Sequence, residues 1–112
     1  MNEPIIRFAE KSDIEDIVRL CELHAIFEKS EYQSENKKEL LSEHLFSDQP
    51  SLYCLVVEHF DKIIGYATYM KQFSTWDSEF YVYMDCLFIT EECRGNGIGQ
   101  KLMMKLKLQQ II

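Results

Sequence analysis

A glycine-rich loop between an apolar segment and an amphipathic segment restricts the possible folds of this chain more than any other feature. The loop reads Arg94-Gly95-Asn96-Gly97-Ile98-Gly99, with three glycines at alternate positions. Glycines adopt backbone conformations that other residues avoid, so several N–H groups can face one concavity. A helix that starts here would add the positive end of its dipole. The pattern therefore predicts a strand, an anion-binding loop and a helix in succession.

Two familiar nucleotide-binding loops do not fit these residues. A dinucleotide-binding fingerprint needs a further glycine three residues on and an acidic residue about 20 positions later. The chain instead has Lys101 and Leu102 after the loop. A Walker loop needs Gly-Lys followed by serine or threonine, whereas Gly99 is followed by Gln100. We therefore expect neither dinucleotide binding nor nucleotide hydrolysis.

The pattern that remains is Arg-x-x-Gly-x-Gly after the apolar run Cys86-Leu87-Phe88-Ile89. It resembles the acetyl-CoA loop of the GNAT family of N-acetyltransferases. Upstream, Ile5-Ile6-Arg7-Phe8-Ala9 is similar to the first strand of that family, and Ile64-Gly65 is similar to the usual entry to its third strand. Within the family, the first helix and the glycine loop are most similar to those of the diamine acetyltransferases, which act on spermidine, spermine or thialysine.

The resemblance implies a fold class and a co-substrate. The expected fold is α/β (α+β), with a mixed, mostly antiparallel sheet and helices on both faces, truncated after the third helix. Residues 1–112 would form a single acetyl-CoA-binding domain that lacks the usual C-terminal strands and helix. Acetyl-CoA is the implied co-substrate, held by the fourth strand and the loop. The residues implied in its binding are Leu87, Phe88, Ile89, Arg94, Gly95, Asn96, Gly97, Ile98, Gly99, Gln100 and Lys101.

The spacing of apolar residues predicts individual elements independently of the family. The apolar run from Ile5 to Phe8 indicates a short strand, and Ser12 with Glu15 forms a predicted capping box before the first helix. The residues His59-Phe60-Asp61-Lys62 fit the turn of an antiparallel hairpin. The run from Phe80 to Ile89 has apolar residues at both odd and even positions, so both faces of the strand would be apolar, which is typical of a central strand.

Asp85 is the anomaly in that last run, because it lies between Met84 and Cys86. An unpaired buried carboxylate costs several kcal/mol, so Asp85 must reach solvent, a cation or strong donors. One interpretation is structural: the side chain caps a strand bulge or accepts backbone hydrogen bonds. The other is functional, because the resemblance places an acidic residue beside the substrate amine at this position. Glu58 and Asp77 are weaker candidates of the same kind.

The chemistry of acetyl transfer to an amine indicates what such a site must do. An alkylamine has a pKa of about 10.4, so only roughly one molecule in a thousand carries a free lone pair at neutral pH. Asp85, alone or through a water, is the candidate base, and the resemblance assigns backbone contacts with the cofactor arm to Leu87 and Ile89. Trp76, in a polar segment, is a candidate for contact with the substrate.

Charge and composition restrict the possible partners. The net charge of −7 disfavours nucleic acid and anionic membranes and favours a small cationic amine as the substrate. The segment Met1-Asn2-Glu3-Pro4 does not resemble a signal peptide, so we expect a cytoplasmic protein with reduced cysteines. No metal is expected, because His24, His44 and His59 lack metal-ligand spacing.

The resemblance also implies that the family's fifth strand and fourth helix, which carries its usual general acid, a tyrosine, lie beyond residue 112. The strand from Phe80 to Ile89 would then have an unpaired apolar edge, which favours a homodimer or a strand-exchanged oligomer. Three explanations stay open: a truncated chain, a sheet completed by a partner, or a domain that no longer catalyses. The first functional hypothesis is an N-acetyltransferase, and the alternatives are a non-catalytic acyl-CoA-binding domain and an association module.

Overall fold

A computed structural model describes residues 3–32 and 35–111 of the chain. Short 3-10 turns lie before the first helix and after the last strand, at Lys11–Asp13 and Glu91–Cys93. The helices and strands follow one another as β1 (Ile5–Phe8), α1 (Ile14–Phe27), α2 (Lys37–Phe46), β2 (Tyr53–His59), β3 (Lys62–Ser74), β4 (Glu79–Ile89) and α3 (Ile98–Ile111).

The four strands form one sheet in the order β1-β2-β3-β4, and each neighbouring pair is antiparallel. Helices α1 and α2 pack on one face of the sheet and α3 packs on the other. The predicted α/β class with helices on both faces is thereby confirmed. In the described part of the chain the sheet is wholly antiparallel.

The core consists of two layers, because successive residues of a strand point to opposite faces. Both faces of β2 are covered by helices, which explains its continuous apolar sequence. The layer beneath α1 and α2 contains Ile17, Leu20, Cys54, Val56, Tyr66 and Phe88, and the layer beneath α3 contains Leu55, Val57, Ala67, Ile89, Ile98, Leu102 and Leu106.

The predicted hairpin between β2 and β3 is confirmed. Phe60 and Asp61 both have positive φ angles, 54° and 62°, which suits the two-residue turns that match the twist of a hairpin. A little further on, Gly65 lies against β4. A Cβ atom at Gly65 would lie 2.7 Å from Ile89 Cδ1 and 3.0 Å from the Phe88 carbonyl oxygen. The close approach of β3 and β4 therefore requires a glycine here.

The start of α1 differs from the prediction. The capping box joins Glu10 and Asp13, not Ser12 and Glu15, and α1 begins only at Ile14. The reason is that the buried Asp13 carboxylate accepts the backbone N–H of Glu10 at 2.7 Å and both Nη groups of Arg7, at 2.8 and 3.0 Å. Tertiary bonding to Arg7 thus favours a capping box at the preceding 3-10 turn, two residues before the predicted box, and α1 itself begins after Asp13.

This ion pair makes stability depend on pH. The hydrogen bonds from Arg7 are the main reason that the pKa of Asp13 lies below its usual value, and the Glu10 N–H adds to the effect. A lowered folded-state pKa contributes stability that is present above the unfolded-state pKa of about 3.9 and is lost as the pH falls through the folded-state value. Asp13→Asn is expected to lower the free energy of unfolding at pH 7 by about 1–3 kcal/mol and to flatten its decline below pH 5. Urea unfolding at several pH values measures both effects.

Asp16→Asn is the matched control, because it removes the same charge from an exposed pair with Arg19. Exposed pairs contribute only about 0–1 kcal/mol. Equal losses in the two variants would contradict the role given to the Arg7–Asp13 pair.

Strand β4 lies at the edge of the described sheet, so the predicted central position is wrong for this part of the chain. In the described residues β3 is the strand that pairs with β4, and no second strand lies along its other edge. The ends of β3 and β4 extend beyond the helices as an arm in which Phe80 is 66% exposed and Tyr83 is 49% exposed. Among residues 3–32 and 35–111, no helix is long and apolar enough to cross a membrane.

Candidate active site

The glycine loop has the geometry expected of an anion-binding turn. Gly95 and Gly97 have φ angles of +87° and +77°, and a Cβ atom at either position would meet nothing within 4 Å, so the space beside both glycines is open. The first bond of α3 joins the Lys101 N–H to the Gly97 carbonyl at 3.2 Å. The N–H groups of Ile98, Gly99 and Gln100 therefore have no acceptor within the helix. These donors and the helix dipole suit the phosphates of a cofactor such as acetyl-CoA.

Local hydrogen bonds hold the loop at the end of β4. The Thr90 N–H donates to the Ile64 carbonyl at 2.9 Å, and the Cys93 N–H donates to the Thr90 carbonyl at 3.0 Å. Asn96 Nδ2 donates to the Cys93 carbonyl at 3.3 Å. Ile98 is buried beneath α3 and anchors the start of the helix. The loop is thus tied to the sheet on one side and to the core on the other.

The Arg94 side chain folds back from the loop onto the sheet. Its Nε donates to the Ile89 carbonyl at 2.8 Å. Its guanidinium carbon lies 4.3 Å from the ring centroid of Phe27 and 5.2 Å from that of Phe88. Cation–π contacts of this kind favour a fixed position for the guanidinium. Arg94 therefore braces the glycine loop against β4 and α1.

A groove of about 210 Å³ lies where α1, β4 and the loop meet. It brings together the predicted cofactor residues of β4 with the predicted arginine. Its walls also include residues of α1 that the sequence did not indicate. The lining residues are His24, Phe27, Glu28, Leu87, Phe88, Ile89 and Arg94.

Asp85 occupies a bulge in β4. Thr68 pairs with Cys86 and Tyr69 pairs with Met84, so Asp85 is the extra residue between them. Bulges re-aim side chains, and here the exposed carboxylate accepts hydrogen bonds from Thr68 Oγ1 at 3.4 Å and Cys86 Sγ at 3.6 Å. The bulge of the structural interpretation is therefore present, and it turns the carboxylate towards the cleft described next.

A second cavity, which we call the acceptor cleft, has a volume of about 310 Å³ and lies between α1, the following segment, β3 and β4. Its described lining carries three carboxylates, on Glu28, Glu31 and Asp85, and two basic side chains, those of Lys37 and His24. The Lys37 Nζ lies 5.2 Å from the centre of the Tyr32 ring. Because acidic groups outnumber basic ones on its wall, the cleft favours a cationic guest.

Polar side chains outside the predicted set of site residues join the two cavities. His24 Nδ1 lies 3.0 Å from Tyr66 Oη, and His24 Nε2 lies 3.7 Å from Glu28 Oε2. Burial is the main cause of the raised pKa of Tyr66, so its hydroxyl is neutral. One signal was available: His24 continues the buried stripe of α1 that includes Ile17 and Leu20, where a polar side chain is unusual.

Four other candidates lie away from this cleft. Trp76 is 94% exposed in the turn between β3 and β4, where Asp77 also lies. Asp85 lies six positions after the first residue of β4, Glu79, which corresponds to about 20 Å of strand. Glu58 on β2 accepts a hydrogen bond from Arg7 Nε at 3.0 Å, and Lys101 Nζ lies 3.6 Å from Glu3 Oε1. The structure brings Asp85 together with neither Trp76, Asp77 nor Glu58, and the roles predicted for all four residues stay predictions.

The described residues contain no group of three or more histidine, cysteine, aspartate or glutamate side chains that could hold a metal ion. The four cysteines are free thiols. The structure assembles two sets of polar groups. The first consists of backbone N–H groups at the glycine loop, and the second consists of oxygen and nitrogen atoms in the acceptor cleft. The first set suits phosphate groups and the second suits an amine.

A sheet with helices on both faces, a glycine loop between β4 and α3, and an acidic cleft beside β4 together define an N-acetyltransferase fold. The chain belongs to the acetyltransferase (GNAT) family, whose model matches residues 17–109. The resemblance inferred from the loop is thereby confirmed.

Individual relatives give the extent of the similarity. The thialysine N-epsilon-acetyltransferase of Mus musculus is 33% identical over 109 residues, which cover 90% of this chain and 64% of that protein. This chain therefore spans just under two thirds of the length of that relative. The thialysine N-epsilon-acetyltransferase of Bos taurus is 31% identical over 110 residues, with 91% of this chain and 64% of that protein covered.

A solved structure shows the same fold. The possible acetyltransferase of Clostridium difficile 630 superposes with a TM-score of 0.80 at 21% identity and covers 94% of this chain and 69% of that chain. At that identity the likeness concerns the fold alone.

Proposed function

We propose that the chain, as one acetyl-CoA-binding domain, transfers an acetyl group from acetyl-CoA to a primary amine of a small cationic acceptor of the polyamine type. The observation that carries this proposal is the position of Asp85, which lines a predominantly acidic cleft and lies two residues from the groove along Leu87–Ile89. An amine in the cleft and an acyl group in the groove would meet at this part of β4. The names of the thialysine acetyltransferase relatives support an amine acceptor.

The glycine loop and β4 would hold the co-substrate. The N–H groups of Ile98, Gly99 and Gln100, which have no acceptor within α3, would bind its phosphates, and the strand Leu87–Ile89, which lines the groove, would lie along its extended arm. Acetyl-CoA supplies the thioester carbonyl and a thiolate leaving group. Backbone N–H donors near that carbonyl would stabilise the negative charge that develops on its oxygen.

Asp85 would receive the acceptor ammonium and take a proton from it, directly or through a water. This step matters because an alkylamine with a pKa of about 10.4 has almost no free lone pair at neutral pH. The position of Asp85 at a bulge leaves its carboxylate exposed while Thr68 and Cys86 hold one of its oxygens.

The experiment that tests the proposal is release of free coenzyme A thiol from acetyl-CoA in the presence of different amines. We expect release with spermidine and thialysine and none with a neutral alcohol of the same length. Calorimetric titration of acetyl-CoA in the same samples separates binding from turnover. Binding without thiol release for any amine would favour the non-catalytic acyl-CoA-binding alternative, and the absence of both would contradict the assignment of the loop.

We also propose that two copies of the chain associate through the edge of β4. In the described part of the chain this edge has no second strand beside it, and the arm of β3 and β4 exposes Phe80 and Tyr83. Trp76, about 20 Å along the arm from Asp85, could contact a substrate only in the cleft of another copy. Light scattering measures the oligomeric state, and a monomer at all concentrations would contradict the proposal.

A further inference from the structure

His24, together with Glu28, lines both the acceptor cleft and the groove between α1, β4 and the glycine loop, which we call the β4 groove. Its ring stacks on Phe88, with centroids 4.9 Å apart and planes at 22°. The His24 side chain is 18% exposed, which leaves it accessible from the cavities but held by its neighbours. It therefore lies at the boundary between the space for the amine and the space for the acyl group.

Both ring nitrogens of His24 have oxygen neighbours. Nδ1 lies 3.0 Å from the hydroxyl oxygen of Tyr66, and Nε2 lies 3.7 Å from Glu28 Oε2. A hydroxyl can accept as well as donate, whereas the ionised carboxylate only accepts. An imidazolium at this position would consequently have an acceptor for each of its two N–H groups.

Groups from three neighbouring elements, β3, the end of α1 and β4, face the His24 ring. Tyr66 comes from β3 and Glu28 from α1, while β4 contributes the Phe88 ring, over which Arg94 lies on the side of the loop. Cys21 and Cys86 line the same cleft as Tyr66. The Tyr66 hydroxyl oxygen can accept a hydrogen bond as well as donate one, so it can accept the Nδ1–H of a protonated His24.

The proposed reaction leaves one proton without an assigned acceptor. A primary ammonium loses two protons when its nitrogen becomes part of an amide, and Asp85 accounts for one of them. Resting on that proposed function, we propose that His24 is the second proton acceptor of the site. It takes a proton from the amine nitrogen at Nε2, with Tyr66 and Glu28 stabilising the imidazolium.

An N–H bond of the acceptor breaks, its electron pair stays on nitrogen, and the proton binds the lone pair of Nε2. The new nitrogen–carbon bond forms as the carbon–sulfur bond of the thioester breaks. Of the two protons lost by nitrogen, one is balanced by protonation of the leaving thiolate and one passes to solvent. Glu28, whose side chain is 57% exposed, lies on the route from His24 to solvent.

Steady-state kinetics of His24→Gln across the pH range test the inference. We expect kcat/KM at neutral pH to fall by about 100-fold, the lower end of the usual effect of a general base. The part of the acidic limb of the wild-type pH profile that reflects protonation of His24 should disappear. Glu28→Gln should lower kcat/KM by about tenfold, because it removes the charge that stabilises the imidazolium. Acetyl-CoA affinity, measured by calorimetry, should fall much less than kcat/KM in both variants, because the phosphates would bind at the glycine loop and not at His24 or Glu28.

His44→Gln is the matched control, since His44 lies on α2 and its Nδ1 bonds the Ser51 hydroxyl at 2.7 Å. It should keep the wild-type profile. His24→Ala with added imidazole provides a second measurement that a purely structural role would not affect: we expect imidazole to restore part of the lost turnover.

The outcomes separate the two proposals. A wild-type chain that releases no thiol with any amine would overturn the proposed function and this inference with it. An active wild type whose His24→Gln variant keeps both the rate and the acidic limb would overturn this inference alone. A His24→Gln variant that binds acetyl-CoA normally but loses turnover, together with rescue of His24→Ala by imidazole, would support it.

Discussion

Replacing Gly97 by valine is expected to weaken acetyl-CoA binding by about 100-fold, equivalent to about 2.7 kcal/mol of binding free energy. Gly97 has a φ angle of +77°, a conformation that a β-branched residue adopts only with strain. Relief of that strain would turn the N–H groups of the loop away from the concavity that the phosphates would occupy. Calorimetric titration with acetyl-CoA measures the change in affinity.

Ser78→Val is the matched control for Gly97→Val. Ser78 also has a positive φ angle, 57°, but it lies in the turn between β3 and β4. Its replacement introduces the same kind of backbone strain far from the glycine loop. We expect a loss of thermal stability in this variant with little change in acetyl-CoA affinity. Wild-type affinity in the folded Gly97→Val variant would contradict the assignment of the loop.

Replacing Asp85 by asparagine is expected to lower kcat/KM for a cationic amine by about 100- to 1,000-fold. Asparagine keeps the size of the side chain and can still accept from Thr68 Oγ1, so the bulge in β4 should persist. What the substitution removes is the negative charge that receives the ammonium and the basic oxygen that takes its proton. Thiol-release kinetics at saturating acetyl-CoA measure the effect.

Asp77→Asn removes the same charge from the turn at the far end of β4 and serves as the control. We expect it to leave kcat/KM within about twofold of wild type, because screened charges this far apart interact only weakly. If Asp77→Asn lost activity while Asp85→Asn kept it, the acceptor site would have to be sought near the arm instead. Unchanged turnover in both variants would remove the carboxylate from the proposed mechanism.

The strongest predictions from the sequence depended on short-range rules. The glycine loop, the hairpin at Phe60 and Asp61, and the continuous apolar run of β2 each follow from residue preferences within a short stretch of chain. The placement of the cap on α1 failed for the opposite reason. Asp13 is held by Arg7 from a different element, and no local pattern reports such a contact.

The candidate site was predicted only in part. Asp85 could be identified because a carboxylate is unusual in an apolar strand. Its distance in sequence from the glycine loop also matches that of the acidic residue that the family resemblance places beside the substrate amine. The bulge that turns it towards Thr68 depends on the pairing of β3 with β4, which the sequence does not display. His24 and Tyr66 are 42 residues apart, so their contact could not be read from spacing.

The sequence by itself determined the position of the glycine loop and revealed a carboxylate within an apolar strand, because glycine conformations and apolar patterns act locally, and the resemblance of the loop to the GNAT family gave the class of fold. The tertiary structure decided that β4 lies at an edge in the described sheet, that Asp85 occupies a bulge, and that Glu28, His24 and Tyr66 form a polar row between two cavities. Those features depend on how helices and strands distant in sequence pack together. Many sequences with the same local patterns would place such side chains differently.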